Sequence, residues 1–284
     1  MTRASQNQIA PRAGLLFCLL LTSLACDQSG SSGSADPRAK PGLVTGKLAD
    51  DRGGPLSNVT VRVAGFTRGG EPVNKEFKVA GPAREYSLEI PEGAYTAPEA
   101  SISLDYNARS YTLPLIAGDG EKEWPRARDS KVGLVRDFVF KISGARPEGL
   151  GSDVDPSGYY GSAAIFELGG EFGDVASFEI TLKPDGPLID GSEGKPLMFV
   201  RKLPWRRQED HYLLNIPTGR YIASAKLLYG TKPRPLKIIC YAVDPENPDA
   251  APERSGLTAT LEFEMRKSKD GKLRLTMPSI TVFP

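Results

Sequence analysis

Histidine is almost absent from this 284-residue chain: His211 stands alone. Zinc hydrolases need two or three His or carboxylate ligands at fixed spacing, with a general base beside them. A metallopeptidase is therefore not expected, and His211, in Glu209-Asp210-His211-Tyr212, reads as a surface residue before a strand. Cysteine is scarce too, limited to Cys18, Cys26 and Cys240. A surplus of charge is missing: 36 basic residues face 35 acidic ones, whereas nucleic-acid binding wants a clustered basic face. No Gly-x-Ser-x-Gly elbow and no glycine-rich phosphate loop occur. Ser192 and Lys195 match Ser-x-x-Lys only formally, in a Gly-rich turn without the companion motifs. Beyond residue 26, no segment longer than about ten residues keeps a clean 3.6-residue apolar period, which argues against a helical protein. No enzyme and no cofactor are expected.

What is present begins at the N-terminus. Arg3 and Arg12 precede the apolar run Ala13–Leu21, and Thr22-Ser-Leu-Ala-Cys26 follows. A basic region, a short apolar run and a small residue before a cleavage point make a secretory signal over residues 1–25. The run is shorter than the roughly 20 residues a spanning helix needs. Leu24-Ala25-Cys26 resembles a bacterial lipobox, although Ser23 stands where that pattern has Leu. The resemblance implies lipidation of Cys26, palmitate included, and anchoring by several acyl chains. Residues 26–41, rich in Ser, Gly and Pro, read as a flexible tether. Cleavage would remove two arginines and no acid, leaving 34 basic residues against 35 acidic ones. Cys240 would then be the only free thiol, so the fold must stand without an internal disulfide, in a compartment that permits them.

Thirty glycines and 24 prolines punctuate short alternating runs. Val59, Val61 and Val63 alternate with polar residues, as do Phe138, Phe140 and Ile142, then Phe178, Ile180 and Leu182, then Leu261, Phe263 and Met265. Many short strands between turn clusters predict a sandwich or barrel. Tyr86-x-Leu-x-Ile-Pro-x-Gly-x-Tyr95 recurs as Tyr212-x-Leu-x-Ile-Pro-x-Gly-x-Tyr221, 126 residues later. Gly54-Pro55-Leu56 upstream has its counterpart in Gly186-Pro187-Leu188, and Leu134–Ile142 and Leu257–Met265 read as equivalent closing strands. Tyr, Leu and Ile at alternating positions share one strand face. Pro ends the strand, because it cannot donate to the ladder. Such tyrosines are expected to pack rather than to bind ligand.

Leu43-Val-Thr-Gly46, Asp51-Arg-Gly-Gly-Pro55-Leu56-Ser-Asn-Val59-Thr-Val61 and the Tyr86–Tyr95 motif together resemble the carboxypeptidase regulatory-like domain family. The resemblance implies a transthyretin-like seven-stranded sandwich, within the carbohydrate-binding-like folds. It covers residues 42–143, and residues 175–266 more weakly. Fold does not carry function, so the enzyme name does not transfer. The expectation is all-β: two tandem transthyretin-like Greek-key sandwiches, 42–143 and 175–284, joined by a linker over 144–174, with the last strands adding an edge hairpin.

Candidate ligand-binding residues are Trp124, Trp205, Tyr159 and Tyr160, aromatics in polar, loop-like segments. They serve either as exposed platforms for a glycan or, for the tryptophans, as plugs at the open end of a sandwich. Asp153-Val-Asp155-Pro-Ser157-Gly158 resembles the start of a calcium loop, but the twelfth place, which needs a bidentate acid, is Ala164. No metal is expected. The reading is a non-catalytic lipoprotein of the cell envelope, on the periplasmic or extracellular face. It would act as a binding or scaffolding module for a glycan or an envelope protein, without nucleic acid. The alternatives are a carbohydrate-binding surface module and an accessory subunit of a separately encoded hydrolase or transporter.

Overall fold

Alternation decides where the strands lie. Val59, Val61 and Val63 point inward from the strand Val59–Thr67 and are buried, as are Phe178, Ile180 and Leu182 on Ser177–Pro184. Each such side chain contributes about 1.5–3 kcal/mol on burial. The computed structural model describes residues 36–118, 126–147, 156–172, 176–205, 208–228, 232–242, 256–263, 265–267, 273–275 and 277–284. Residues 36–284 belong to one unit. The signal, Cys26, Trp124, Asp153 and Asp155 lie outside the described residues.

The protein is all-β, and its strand pairings fall into two sets. In the first, Leu43–Asp50 lies between Glu85–Glu89, antiparallel, and the interrupted strand Leu134–Val135 and Phe138–Phe140, parallel. The facing sheet is built on Val59–Thr67, which pairs with Pro72–Val79 on one side and with Gly93–Tyr95 and Glu99–Tyr106 on the other. In the second set, Ser162–Leu168 lies between Tyr212–Ile216, antiparallel, and Pro278–Phe283, parallel. Ser177–Pro184 pairs with Leu197–Lys202 and Arg220–Leu227. Arg234–Ala242 pairs first with Arg220–Leu227 and then with Pro278–Phe283, so one bent strand carries the hydrogen bonding from one layer to the other. Among the described residues, no strand of one set pairs with a strand of the other.

The second strand set is bounded differently from the second copy expected from the sequence. It opens with Ser162–Leu168, inside the stretch 144–174 read as a linker. That strand carries buried Ala163, Ala164 and Phe166, and its near-continuous apolar run hides the two-residue period. Its closing strand is Pro278–Phe283, which sits in the middle of the sheet with Ile280 and Val282 fully buried, rather than at an edge. Leu257–Met265 is not the counterpart of Leu134–Ile142: Ala259–Glu262 pairs antiparallel with Arg220–Leu227 instead.

The two tyrosine motifs act as corners. Tyr95 and Tyr221 are buried, and each hydroxyl donates to a proline carbonyl four residues upstream, Pro91 O at 2.9 Å and Pro217 O at 2.6 Å. The first tyrosines differ. Tyr86 is buried and donates to Arg136 O at 2.7 Å. This contact crosses Gly46, where a Cβ would lie 1.9 Å from Arg136 O and 2.7 Å from Tyr86 Cε1. Tyr212 is only half-buried, because Asn215 takes a left-handed φ of 58° and the pairing with Ser162–Leu168 shifts register there. The inward face of the second copy becomes Leu213 and Ile216. One bulged residue thus breaks the shared alternation.

The two strand sets are stitched together by side chains. Tyr106 Oη donates to Pro187 O at 3.0 Å and accepts from Arg220 N at 2.8 Å. Tyr111, fully buried, donates to Phe263 O at 2.9 Å. Asn215 Oδ1 accepts from Gly144 N at 2.8 Å.

Candidate functional site

Ser162–Leu168 runs past the start of its antiparallel neighbour. Tyr212–Ile216 pairs with Ser162–Leu168 only as far as Ile165. Beyond that point Phe166, Glu167 and Leu168 keep Pro278–Phe283 on one side, and on the other the segment leading to His211 approaches. A cleft of about 430 Å³ opens there, lined by Glu167, Leu168, Trp205, His211, Ile239, Tyr241, Thr281 and Phe283. This is within the roughly 300–1,000 Å³ usual for small-ligand sites.

The strands fix its polar floor. Phe166 points into the core, so Glu167 points out, opposite Thr281 in the parallel pairing. Thr281 in turn faces Ile239, and Ser279 faces Tyr241. The result is a carboxylate under three hydroxyls. Glu167 Oε2 accepts from Ser279 Oγ at 2.6 Å, Tyr241 Oη at 3.1 Å and Thr281 Oγ1 at 3.2 Å. A hydroxyl has one proton to give, so Tyr241 and Thr281, which line the cleft, can only accept from a ligand; Ser279 is fully buried. Glu167 Oε1 takes no hydrogen bond among the described residues, and no ion pair reaches the carboxylate there.

Trp205 forms the wall. Its ring meets Phe166 at a centroid distance of 5.8 Å and His211 at 4.0 Å, edge to face in both cases. The indole N–H is buried and has no hydrogen-bond partner among the described residues. Trp205 is thus half-buried and held from two sides, not a flat exposed platform. The structure brings His211 to it, although the sequence placed His211 on the surface.

Tyr159 and Tyr160 are not in this cleft. Tyr159 forms an isolated bridge with Ala145, and Tyr160 N donates to Gly144 O at 2.9 Å. Lys141 Nζ lies 5.4 Å from the Tyr160 ring centroid and Arg146 Cζ lies 5.9 Å from it. Ser157 uses its carbonyl to accept from Arg146, at 3.3 Å. Among the described residues no group of three His, Cys, Asp or Glu gathers where a metal ion could be held. Cys240, on the strand next to Pro278–Phe283, is largely buried, and burial pushes its thiol up to about 12. It therefore stays protonated and unreactive at neutral pH.

Glu167, Tyr241 and Thr281 escaped the sequence reading. The one signal was a single acid in an otherwise apolar stretch, Ser-Ala-Ala-Ile-Phe-Glu-Leu. Its three hydroxyl partners lie 74 to 114 residues away; the parallel pairing with Pro278–Phe283 brings Ser279 and Thr281, and the antiparallel pairing beyond it brings Tyr241.

No family model matches this sequence. No curated protein matches it either. The similarity to solved structures is to bacterial pilus proteins. The C-terminal fragment of the pilus adhesin SpaC from Lactobacillus rhamnosus GG shares 10% identity over 85% of this chain and 96% of that one, with a TM-score of 0.28. The major pilin of Streptococcus pyogenes, as an E117A mutant, shares 11% over 86% and 98%, with a TM-score of 0.26. The T3.2 major pilin of S. pyogenes serotype GAS13637 shares 13% over 86% and 98%, with a TM-score of 0.25. Among the described residues, no helix is long and apolar enough to cross a membrane.

Proposed function

We propose that this protein is a non-catalytic binding module of the cell envelope, held to a membrane by lipid on Cys26 and using the Glu167–Trp205 cleft as its binding site. The observation that carries the binding role is the cleft itself. A carboxylate is positioned by three hydroxyls on adjacent central strands and left with one oxygen unused. Rigid strands give a site more precise than loops do. The lipid anchor draws its support from the basic start, the apolar run and Leu24-Ala25-Cys26. Motif residues in the first strand set support kinship with the carboxypeptidase regulatory-like domains, and the two strand sets are read as two such domains side by side.

Carbohydrate binding through Trp205 finds less support. A pyranose needs an open aromatic face, and Trp205 has Phe166 and His211 against it.

Two measurements test the proposal. Cys26→Ala should move the protein from the membrane fraction to the soluble one, and persistence in membranes would remove the anchor. A photo-crosslinking amino acid at Leu168, on the wall of the cleft, should give discrete adducts in intact cells. Adducts no different from those of a probe at exposed Phe66 would remove the binding role.

A further inference from the structure

We infer that the cleft takes an ammonium or guanidinium head on an apolar stem, the chemistry of a lysine or arginine side chain. The inference rests on the cleft being a binding site and names the class of ligand.

The polarity of the floor decides it. Tyr241, Thr281 and Ser279 all donate to one oxygen of Glu167. Their protons are spent, so what Tyr241, Thr281 and Glu167 Oε1 offer a ligand is lone pairs, while Ser279 is fully buried. A ligand group that fits this floor must donate to these oxygens. Ammonium and guanidinium groups are donors only. A neutral sugar hydroxyl can donate once, and its own lone pairs would face acceptors.

Charge points the same way. Glu167 is half-buried beside apolar side chains and has no cationic partner among the described residues. A carboxylate removed from water without a counter-charge is costly, so a cation gains more there than at an exposed acid. Hydrogen bonds between ionised partners are about twice as strong as neutral ones. The walls suit the rest of such a ligand. Leu168, Ile239 and Phe283 border the cleft with apolar surface, against which a methylene stem packs while its charged end reaches the carboxylate.

The test is calorimetric titration of the full chain in detergent. The probes are Nα-acetyl-lysine amide, Nα-acetyl-arginine amide, spermidine, the neutral isostere Nα-acetyl-norleucine amide, and N-acetylglucosamine. The cationic probes should bind, and the neutral ones should bind at least about tenfold more weakly. Glu167→Gln should cost the cationic probes about tenfold to a hundredfold in affinity. Tyr241→Phe removes one of the acceptors while the Glu167 charge stays, so the cationic probes should lose about two- to tenfold in affinity and keep their preference over the neutral ones. This second variant keeps the test decisive if Glu167→Gln folds poorly by its thermal melt. Binding of the amino-acid amides but not spermidine would indicate a protein side chain, and the reverse a free polyamine. Either result supports the head-group chemistry. Neutral probes binding as well as lysine amide, cationic affinity unchanged in Glu167→Gln or in Tyr241→Phe, or no binding by any cationic probe would overturn it. Adducts at Leu168 with no cation binding would leave the binding module standing and refute only the ligand class.

Discussion

The tyrosine corners allow a quantitative test, because the same bond occurs twice in different surroundings. Tyr95→Phe and Tyr221→Phe each remove one hydroxyl from a buried ring and leave the ring in place. A hydrogen bond is worth about 1 kcal/mol net, but stranding a buried partner raises the cost to about 1–3 kcal/mol. The partners differ. Pro91 is exposed, so water can replace the lost hydroxyl at its carbonyl. Pro217 is half-buried, and its bond is the shorter, 2.6 Å against 2.9 Å. Tyr95→Phe should therefore cost about 0.5–1 kcal/mol and Tyr221→Phe about 1.5–2 kcal/mol. In a unit of this size each kcal/mol lowers the melting temperature by about 2–4 °C. Calorimetry of both variants and of the double variant is the assay. The corners share no partner, so their effects should add. With the two strand sets stitched by Tyr106 and Tyr111, all should melt in one transition. A Tyr221→Phe variant as stable as the parent, or a larger loss at Tyr95, would refute the reasoning. Two separate transitions would show that the stitching does not couple the sets.

Two further perturbations follow from the core. Gly46→Ala puts a Cβ into the space crossed by the Tyr86–Arg136 bond and should destabilise by about 1–3 kcal/mol, read as a lower urea midpoint; an unchanged midpoint would mean that the contact gives way freely. Alkali should also unfold the protein. Burial raises Cys240 from 9.0 to about 12 and holds Tyr86, Tyr95 and Tyr221 above their ordinary 10.0. The unfolded chain releases these protons first, so stability is intact below about pH 9 and falls above it. Urea midpoints at about pH 8 and about pH 11 should show this decline, and a flat or rising profile would contradict the burial of these groups.

Much of the fold was legible where one face of a strand is wet. Val59–Val63, Phe138–Phe140 and Phe178–Leu182 announce themselves by alternation, and their side chains are buried as expected. The repeated proline-glycine-tyrosine corner was legible because it is local: the hydroxyl reaches only four residues back. Ser162–Leu168 was not, because its near-continuous apolar run masks the two-residue period. Pro278–Phe283 was expected as a strand but at an edge, because its parallel neighbour lies more than a hundred residues upstream. The cleft is built on the pairing of these two strands, so the site was hidden along with it. Trp205 was visible as a residue, but its contact with His211 and Phe166 depends on the turn Gln208–His211 that leads into the strand Tyr212–Ile216. Trp124, Cys26, Asp153 and Asp155 lie outside the described residues.

In each strand set the last strand lies parallel beside the first: Phe138–Phe140 against Leu43–Asp50, and Pro278–Phe283 against Ser162–Leu168. This arrangement imposes an order of assembly. The opening strand of the second set cannot complete its hydrogen bonds until more than a hundred later residues have been made, because its neighbour is among the last in the sequence. Long-range closure of this kind is slow. A nascent or translocating chain would hold Ser162–Leu168 with one edge open until residues 278–283 emerge, and the Glu167 carboxylate would gain its hydroxyls from Ser279 and Thr281 only then. Completion of the sheet and completion of the cleft are one event, so a chain shortened before Pro278 would lose both together.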